Sequence, residues 1–335
     1  MSKHNVSIIM PEYNEVADID MAVDKIMNLH PYFKVIVGND VSRDNTAKVA
    51  MDNDDLLFAV VVTFNRKTIL KKCINSLLSQ TLELDGIIII DNCSTDGTDA
   101  FVEREFKHNK TIIYQRLDKN EGGAGGFYFG TKLAIENGAG WVWLMDDDCM
   151  PDKECLKNLM TGIDNKKDIY SPIILSLEDK KTVLWGIKAK VNAGKHEVVT
   201  LPFNGFLVHR QTIQEIGFPD KRFFIYGDDA EYNFRAKSFG SKSIIITDSI
   251  MYHPFKNQVK GLNIIKMFMS KIWVYYKLRN AVIIFHKYRY YSIKQILMLV
   301  LSLFFFTFTL HFNFIRLWFA AVKDGLENRL YVRDI

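Results

Sequence analysis

Three consecutive carboxylates, Asp146, Asp147 and Asp148, follow an apolar run at residues 141–145. Adjacent acids repel one another, and a strand that delivers them together costs stability unless a cation sits there. Hard oxygen ligands suit Mg2+ or Mn2+. Such an ion can bridge a diphosphate and neutralise the charge that develops as it leaves. A solvated acidic turn at a strand end is the plainer reading of the same triplet.

A second acid cluster, Asp228 and Asp229 with Glu231, opens an amphipathic stretch that runs through Phe234 and Arg235. Carboxylates at a helix N-terminus favour its dipole. They are also placed to take a proton from an attacking hydroxyl. Asp91 closes another apolar run and leads through Asn92, Cys93, Ser94, Thr95, Asp96 and Gly97 to Thr98. A carboxylate there can bind a base or ribose, with Ser94 or Thr95 capping the next helix. Asn120 and Glu121 precede Gly122, Gly123, Ala124, Gly125 and Gly126. Four glycines in five residues let a backbone approach a ligand closely, and a flexible loop explains them equally well. His253 follows a strand expected at 243–247 and reads either as a structural residue or as a ligand.

The elements that must position these groups come as an internal echo. A strand at 6–10, Tyr13-Asn14, a helical stretch and a second strand at 35–37 lead to a polar run at 39–46. About fifty residues on, the order returns: a strand at 59–62, Phe64-Asn65, a helix, a strand at 87–90 and the polar run from Asp91. Ile69, Leu70, Ile74, Leu77 and Leu78 give that helix a 3.6-residue period. Both copies read as β-α-β, the opening unit of a doubly wound sheet. The second continues with a strand at 111–115, a helix at 130–137 and the strand that ends at Asp146. The first stops at Asp54-Asp55, so residues 1–55 are expected to be a non-catalytic partial duplicate beside the main domain, a regulatory or oligomerising role being the alternative.

Of the 335 residues, 48% are hydrophobic and 24% charged, which excludes a disordered chain. The net charge of +4 is unevenly spread. No acid occurs from Ser249 to Lys323, a stretch holding 11 of the 43 Lys and Arg; the remainder carries 32 bases against 39 acids, a net −7. One end therefore suits an anionic surface. Residues 293–314 are strongly apolar and flanked by Trp273, Tyr275, Tyr276, Tyr288, Tyr290, Tyr291, Arg316, Trp318 and Phe319. Interfacial helices carry such flanks. Shallow membrane insertion is favoured, with one transmembrane segment near 295–315, or a buried core or dimer helix, as alternatives. Nucleic acid is the competing partner for the basic residues, and the apolar run beside them argues against it. Cys73, Cys93, Cys149 and Cys155 form no C-x-x-C pair, so reduced thiols are expected. The first apolar run is too short for a signal-peptide core, and a cytoplasmic location follows as an expectation.

Taken in order, these phrases resemble family 2 glycosyltransferases of the GT-A fold, most closely the bacterial galactofuranosyltransferase and rhamnosyltransferase group. They are Val61–Arg66, Ile90–Thr98, Asn120–Gly126, Trp143–Asp148 and Phe224–Glu231. The resemblance implies an α/β, doubly wound mixed sheet at 56–255; the internal echo adds a partial N-terminal repeat at 1–55, and the composition a membrane-associating helical tail at 256–335. It also implies that Thr63, Arg66, Asp91, Asn120, Gly122, Gly123 and Asp146 hold the nucleotide. Asp146, Asp148 and His253 would bind Mn2+ or Mg2+, and Asp229 would be the catalytic base with Asp228 beside it. Trp185 and Asp228 would meet the acceptor, although a core tryptophan fits Trp185 as well. The N-terminal copy, with Pro11-Glu12-Tyr13-Asn14-Glu15, resembles another branch and lacks its own D-x-D strand and base.

The expected activity is inverting transfer from a nucleotide diphosphate sugar, UDP-galactofuranose first and dTDP-rhamnose second. The acceptor would be a lipid-linked oligosaccharide at the inner face of the cytoplasmic membrane, in cell-surface polysaccharide synthesis, by a chain that can oligomerise. The larger flanking domains of the mycobacterial polymerising enzymes are missing, which favours a single addition. A non-catalytic nucleotide-sugar-binding scaffold is the alternative of another class. A nucleotide-dependent oxidoreductase would need G-x-G-x-x-G directly after the first strand, and it is not there.

Overall fold

Strands Ser7–Glu12 (β1) and Lys34–Asn39 (β2) pair in parallel, Ser7 opposite Lys34. They belong to a separate unit, Met1–Asp55, distinct from Leu56–Ile335. The computed structural model describes residues 7–12, 34–39, 56–185, 192–255, 270–289 and 293–330, with the backbone alone at 7–12, 34–39 and 293–299. The helix expected between β1 and β2, the polar run beyond Asn39 and the position of 1–55 beside the main domain lie outside the described residues. So do 256–269, Tyr290 and Tyr291.

The larger unit is built on a nine-stranded mixed sheet. Its strands are Leu57–Thr63 (β3), Gly86–Asp91 (β4), Ile112–Arg116 (β5), Trp141–Asp146 (β6), Met150–Pro151 (β7), Ile169–Ser176 (β8), Lys195–Val198 (β9), Phe206–His209 (β10) and Ser243–His253 (β11). The order is β5-β4-β3-β6-β10-β8-β11-β7, with β9 also on β11. β3, β4, β5 and β6 run parallel, and β10 is antiparallel to β6 and β8. β3 and β4 are buried along their whole length, so they read as continuous apolar runs covered on both faces. Leu57, Ala59 and Val61 face helices Lys67–Leu78 (α1) and Thr98–Phe106 (α2), through Leu70, Ile74 and Phe101. Phe58, Val60 and Val62 face the opposite layer, which includes helix Gly122–Glu136 (α3). Cys155–Thr161 (α4), Arg210–Ile216 (α5) and Asp228–Ser238 (α6) complete the two layers.

α3 begins eight residues earlier than its pattern predicts, inside the glycine run. Glycine disfavours a helix by about 1 kcal/mol per residue, so the run reads as a loop. Close approach to the sheet overrides that preference. A Cβ on Gly126 would stand 2.4 Å from Val62 Cγ1, and one on Gly130 2.2 Å from Val60 Cγ1. Gly126→Ala is therefore expected to destabilise the protein by about 1–3 kcal/mol, despite alanine's better helix propensity. Denaturant unfolding checks this, and an increase in stability would contradict the tight contact. α2 is also capped otherwise than expected: Asp96 Oδ1 accepts from the Thr98 N–H at 3.2 Å, while Ser94 and Thr95 are engaged elsewhere.

The tail is not only a surface element. Trp273–Lys277 forms a π-helical turn that runs into Leu278–Tyr288 (α7), followed by Ile293–Phe308 (α8) and Phe312–Leu326 (α9). Tyr275 and Tyr276, expected at an interface, are buried, and so is Arg279. The apolar run at 295–315 is broken where Leu310 takes a φ of 56°. With 16 residues, α8 is roughly 24 Å long, short of the ~30 Å hydrocarbon core. No helix among the described residues is long and apolar enough to cross a membrane. Phe304, Phe308, Leu310, Phe312 and Phe319 remain exposed.

Candidate active site

Strand register assembles the site. Thr63 pairs with Asp91 across β3 and β4, and Val62 pairs with Asp146 across β3 and β6. The carboxyl ends of three parallel strands therefore meet at one edge, where open α/β sheets hold their ligands. β7 pairs antiparallel with Met251 and Tyr252, which brings the turn after Asp148 beside His253.

Around the triplet, Thr63 Oγ1 donates to Asp147 Oδ2 at 2.6 Å, and Arg66 reaches Asp147 Oδ1 at 3.0 Å and Asp148 Oδ2 at 2.5 Å. His253 Nε2 lies 3.0 Å from Asp148 Oδ1, and its Nδ1 lies 2.9 Å from the Pro254 carbonyl. Burial, then repulsion from Asp148 and Asp147, pushes Asp146 up to about 7. Burial likewise lifts Asp147 to about 6, against the Thr63 hydrogen bond and Arg66. For Asp148 burial alone would also raise the value, but His253 and Arg66 outweigh it and hold it at about 2. The His253 imidazole is raised, its burial overcome by Asp148.

Thr63, expected at the nucleotide, is 1% exposed and commits its hydroxyl to Asp147. Asp91 is fully buried, accepting from the Ser94 N–H at 2.8 Å and from the Tyr114 hydroxyl at 2.7 Å. Asn120 is exposed and accepts from the Gly122 N–H at 2.8 Å. A Cβ on Gly122 would clash with the Phe224 carbonyl, whereas one on Gly123 would meet open space. Trp185 is 38% exposed and stands edge-on to His253, with ring centroids 4.9 Å apart.

Asp146, Asp148 and His253 do not converge as a three-ligand cage: among the described residues no group of three His, Cys, Asp or Glu side chains does so. The carboxylates turn instead towards Arg66 and His253. A divalent cation nonetheless suits what is present. Asp148 Oδ1 is buried without a hydrogen bond, although His253 Nε2 stands opposite it. Asp148 favours the protonated imidazole, whose Nε2–H faces that oxygen; loss of that proton would leave the carboxylate oxygen and the Nε2 lone pair side by side, free to take a cation in its place. Carboxylate oxygens with one imidazole are a donor set for Mn2+ or Mg2+.

The second cluster lies within electrostatic reach of the first. Asp228 and Asp229 open α6. Burial, then repulsion from Asp229 and more weakly from Asp146, raises Asp228 well above the carboxylate range. Burial raises Asp229 too, opposed by its hydrogen bond from Ala230 N–H and by Lys277. The preceding backbone is strained: Phe224 has φ 65° and ψ −66°, and Tyr226 has φ 68°. The Ile225 N–H donates to Phe223 O at 2.8 Å, closing a γ-turn of the rare positive-φ form. Each such residue costs about 1–3 kcal/mol and persists only when its surroundings over-determine it.

Several site residues carried no chemical signal alone. Asn92 ties β4 to the glycine run, donating to Gly122 O at 2.8 Å and accepting from Glu121 N–H at 3.2 Å. Asn204 Oδ1 accepts weakly from the Asp146 N–H at 3.4 Å. Asn65, at φ 54°, accepts from the Thr95 N–H. Asn92 and Asn65 sat within the quoted phrases; nothing in the sequence marked Asn204.

A family model described as Glycosyl transferase family 2 matches residues 58–229, from β3 to the second aspartate of α6. The chain belongs to that family. This glycosyltransferase is 33% identical over 215 residues to Galactofuranosyltransferase GlfT1 of Mycobacterium tuberculosis (strain ATCC 25618 / H37Rv), covering 59% of this chain and 70% of that protein. It is 26% identical over 251 residues to dTDP-rhamnosyl transferase RfbF of Shigella flexneri, covering 69% and 80%. Among solved structures it resembles GalNAc-T7 with UDP, GalNAc and Mn2+, with TM-score 0.55, 16% identity, and coverage of 70% of this chain and 49% of that one. The chain thus spans about half of that structure, and the likeness concerns the GT-A-like fold. His253 and the tail lie beyond the matched family segment.

Proposed function

We propose that the chain is a metal-dependent, inverting galactofuranosyltransferase that moves the sugar of UDP-galactofuranose to a hydroxyl of a lipid-linked oligosaccharide. The observation that carries this reading is the gathering of the two acid clusters at one end of the sheet: β3, β4 and β6 end together at Thr63, Asp91 and Asp146, and the glycine run is hydrogen-bonded to the turn before Asp228 through Ala124 N–H and Phe224 O. Asp146, Asp148 and His253 would hold Mn2+ or Mg2+, which supplies charge neutralisation for the departing diphosphate. Arg66, half exposed beside those acids, is in reach of the same diphosphate. Asn120 and Gly123 line the nucleotide side, Gly123 leaving open space for close backbone approach, while the buried Asp91 holds the Ser94 backbone behind it. Asp229 takes the proton of the acceptor hydroxyl as its oxygen bonds to the anomeric carbon. The bond to the diphosphate breaks on the opposite face, the electron pair leaves with it, and the configuration inverts. Trp185 offers an exposed ring for an acceptor sugar. Exposed phenylalanines on α8 and α9, in a stretch without acids, support docking at an anionic inner leaflet.

Transfer of labelled sugar to a lipid-linked acceptor in vesicles tests the reading. UDP-galactofuranose is expected to label the lipid fraction. The RfbF alignment, which is the longer of the two, favours dTDP-rhamnose as the second reading. Labelling by neither donor would overturn both.

A base raised by burial also sets the pH profile. Asp229 stays protonated to a higher pH than an ordinary carboxylate near ~4. The active, ionised form is present above its raised pKa and lost as pH falls through it, so the acid limb of kcat/KM lies above that ordinary range. Lys277 opposes the shift; Lys277→Met is expected to move the limb further alkaline, as pH-rate profiles of the two proteins will read.

A further inference from the structure

The tail helix α7 is built into the loop that carries the aspartates. Asn280 is 1% exposed, and its Nδ2 shares two N–H groups among three carbonyls of that loop: Phe223 O at 3.0 Å, Ile225 O at 3.0 Å and Tyr226 O at 2.7 Å. Arg279 is fully buried; its guanidinium donates to Arg222 O at 3.0 Å, to Phe223 O at 3.1 Å and to Asn280 Oδ1 at 2.9 Å. Tyr276 stacks on Phe224 with centroids 4.8 Å apart, and Lys277 lies over the Tyr226 ring at 5.7 Å. Residues 276, 279 and 280 share one helix face. On the other side, the Ala124 N–H of α3 donates to Phe224 O at 3.0 Å. A buried arginine and asparagine are costly unless their donors are used, and here they are spent on the carbonyls of a strained turn.

We infer that Arg279 and Asn280 are positioning residues for glycosyl transfer: the tail clamps the 222–227 turn and so fixes where Asp228 and Asp229 point. This rests on the reading of those aspartates as the acceptor-side acids. The tail is then part of the catalytic apparatus, whatever surface α8 and α9 meet. An error of about 1 Å in placing a reacting group lowers rate roughly a hundredfold.

Asn280→Ala is expected to lower kcat about a hundredfold while the Kd for the nucleoside diphosphate, measured by calorimetry with Mn2+, stays within about twofold. Arg279→Lys keeps a cation for one of its two carbonyls and gives a smaller loss in the same direction, so it carries the test if Asn280→Ala does not fold. Phe106→Ala loosens the packing of α2 on the sheet, away from the turn; it is expected to lower Tm and leave kcat unchanged. Hydrogen exchange supplies a readout independent of donor and activity. In Asn280→Ala, amides at 222–229 and at Ala124 are expected to exchange at least about tenfold faster, with β3 and β4 unchanged. Wild-type kcat in Asn280→Ala with unaltered exchange would overturn the inference, as would a kcat loss that tracks Tm equally in Phe106→Ala. An inactive wild type would instead count against the proposed reaction, and the exchange result would still decide the clamp.

Discussion

Asp229→Asn is expected to reduce transfer about 10²–10⁴-fold while leaving the affinity for nucleoside diphosphate and metal almost unchanged. The amide is nearly isosteric, and its oxygen can still accept from the Ala230 N–H that Asp229 holds at 2.7 Å. What disappears is the ability to take a proton. Asp229 rather than Asp228 is proposed as the base because of where each sits. Asp228 is 8% exposed and feels Asp146, whereas Asp229 is half-buried and feels Lys277. The competing explanation for both acids is interaction with the dipole of α6. That explanation predicts a stability loss of about 0.3–1 kcal/mol and no effect on turnover. Steady-state kinetics beside thermal unfolding separates the two.

Asp148→Ala is expected to lower kcat/KM roughly a thousandfold, the loss of several kcal/mol of charge stabilisation at the diphosphate. It also removes the partner shared by Arg66 and His253. The protein should nevertheless fold, because Asp148 is one of the charges that hold Asp146 up at about 7. Its own stabilising contribution has a defined sign. A folded pKa of about 2, below the usual ~4, gives stability that is present above ~4 and lost as pH falls through about 2. At neutral pH the variant therefore forfeits that contribution and relieves repulsion on its neighbours. Metal-dependent nucleotide binding by calorimetry, with circular dichroism for the fold, checks both parts. Undiminished metal-dependent binding would remove Asp148 from the diphosphate site.

The sheet around the site was legible because its strands are buried on both faces. The runs at 87–90 and 141–145 could only be interior strands, and acids at their ends had to meet at one edge. The parallel pairing of Thr63 with Asp91 then follows from β-α-β order. The glycine run misled because helix propensity is local, whereas the approach of Gly126 to Val62 is tertiary. Asp147 drew no separate role from the D-x-D pattern, yet it anchors both Thr63 and Arg66. The tail was legible as basic, aromatic and apolar, a composition that suits a membrane surface. Composition does not tell a surface arginine from a buried one, and Arg279 spends its charge on backbone carbonyls 56 and 57 positions away in the chain. Nor does it locate the break at Leu310 that divides the apolar stretch into two helices.

The central claim is that the two acid clusters together turn over a nucleotide sugar with the help of a divalent cation. Its most direct test is release of nucleoside diphosphate by the purified full chain from UDP-galactofuranose, UDP-galactopyranose, UDP-glucose and dTDP-rhamnose, each with Mn2+ and with EDTA. The account predicts turnover of one donor, UDP-galactofuranose, in Mn2+ and none in EDTA. No release from any donor in either condition, together with no nucleotide binding by calorimetry, would contradict it.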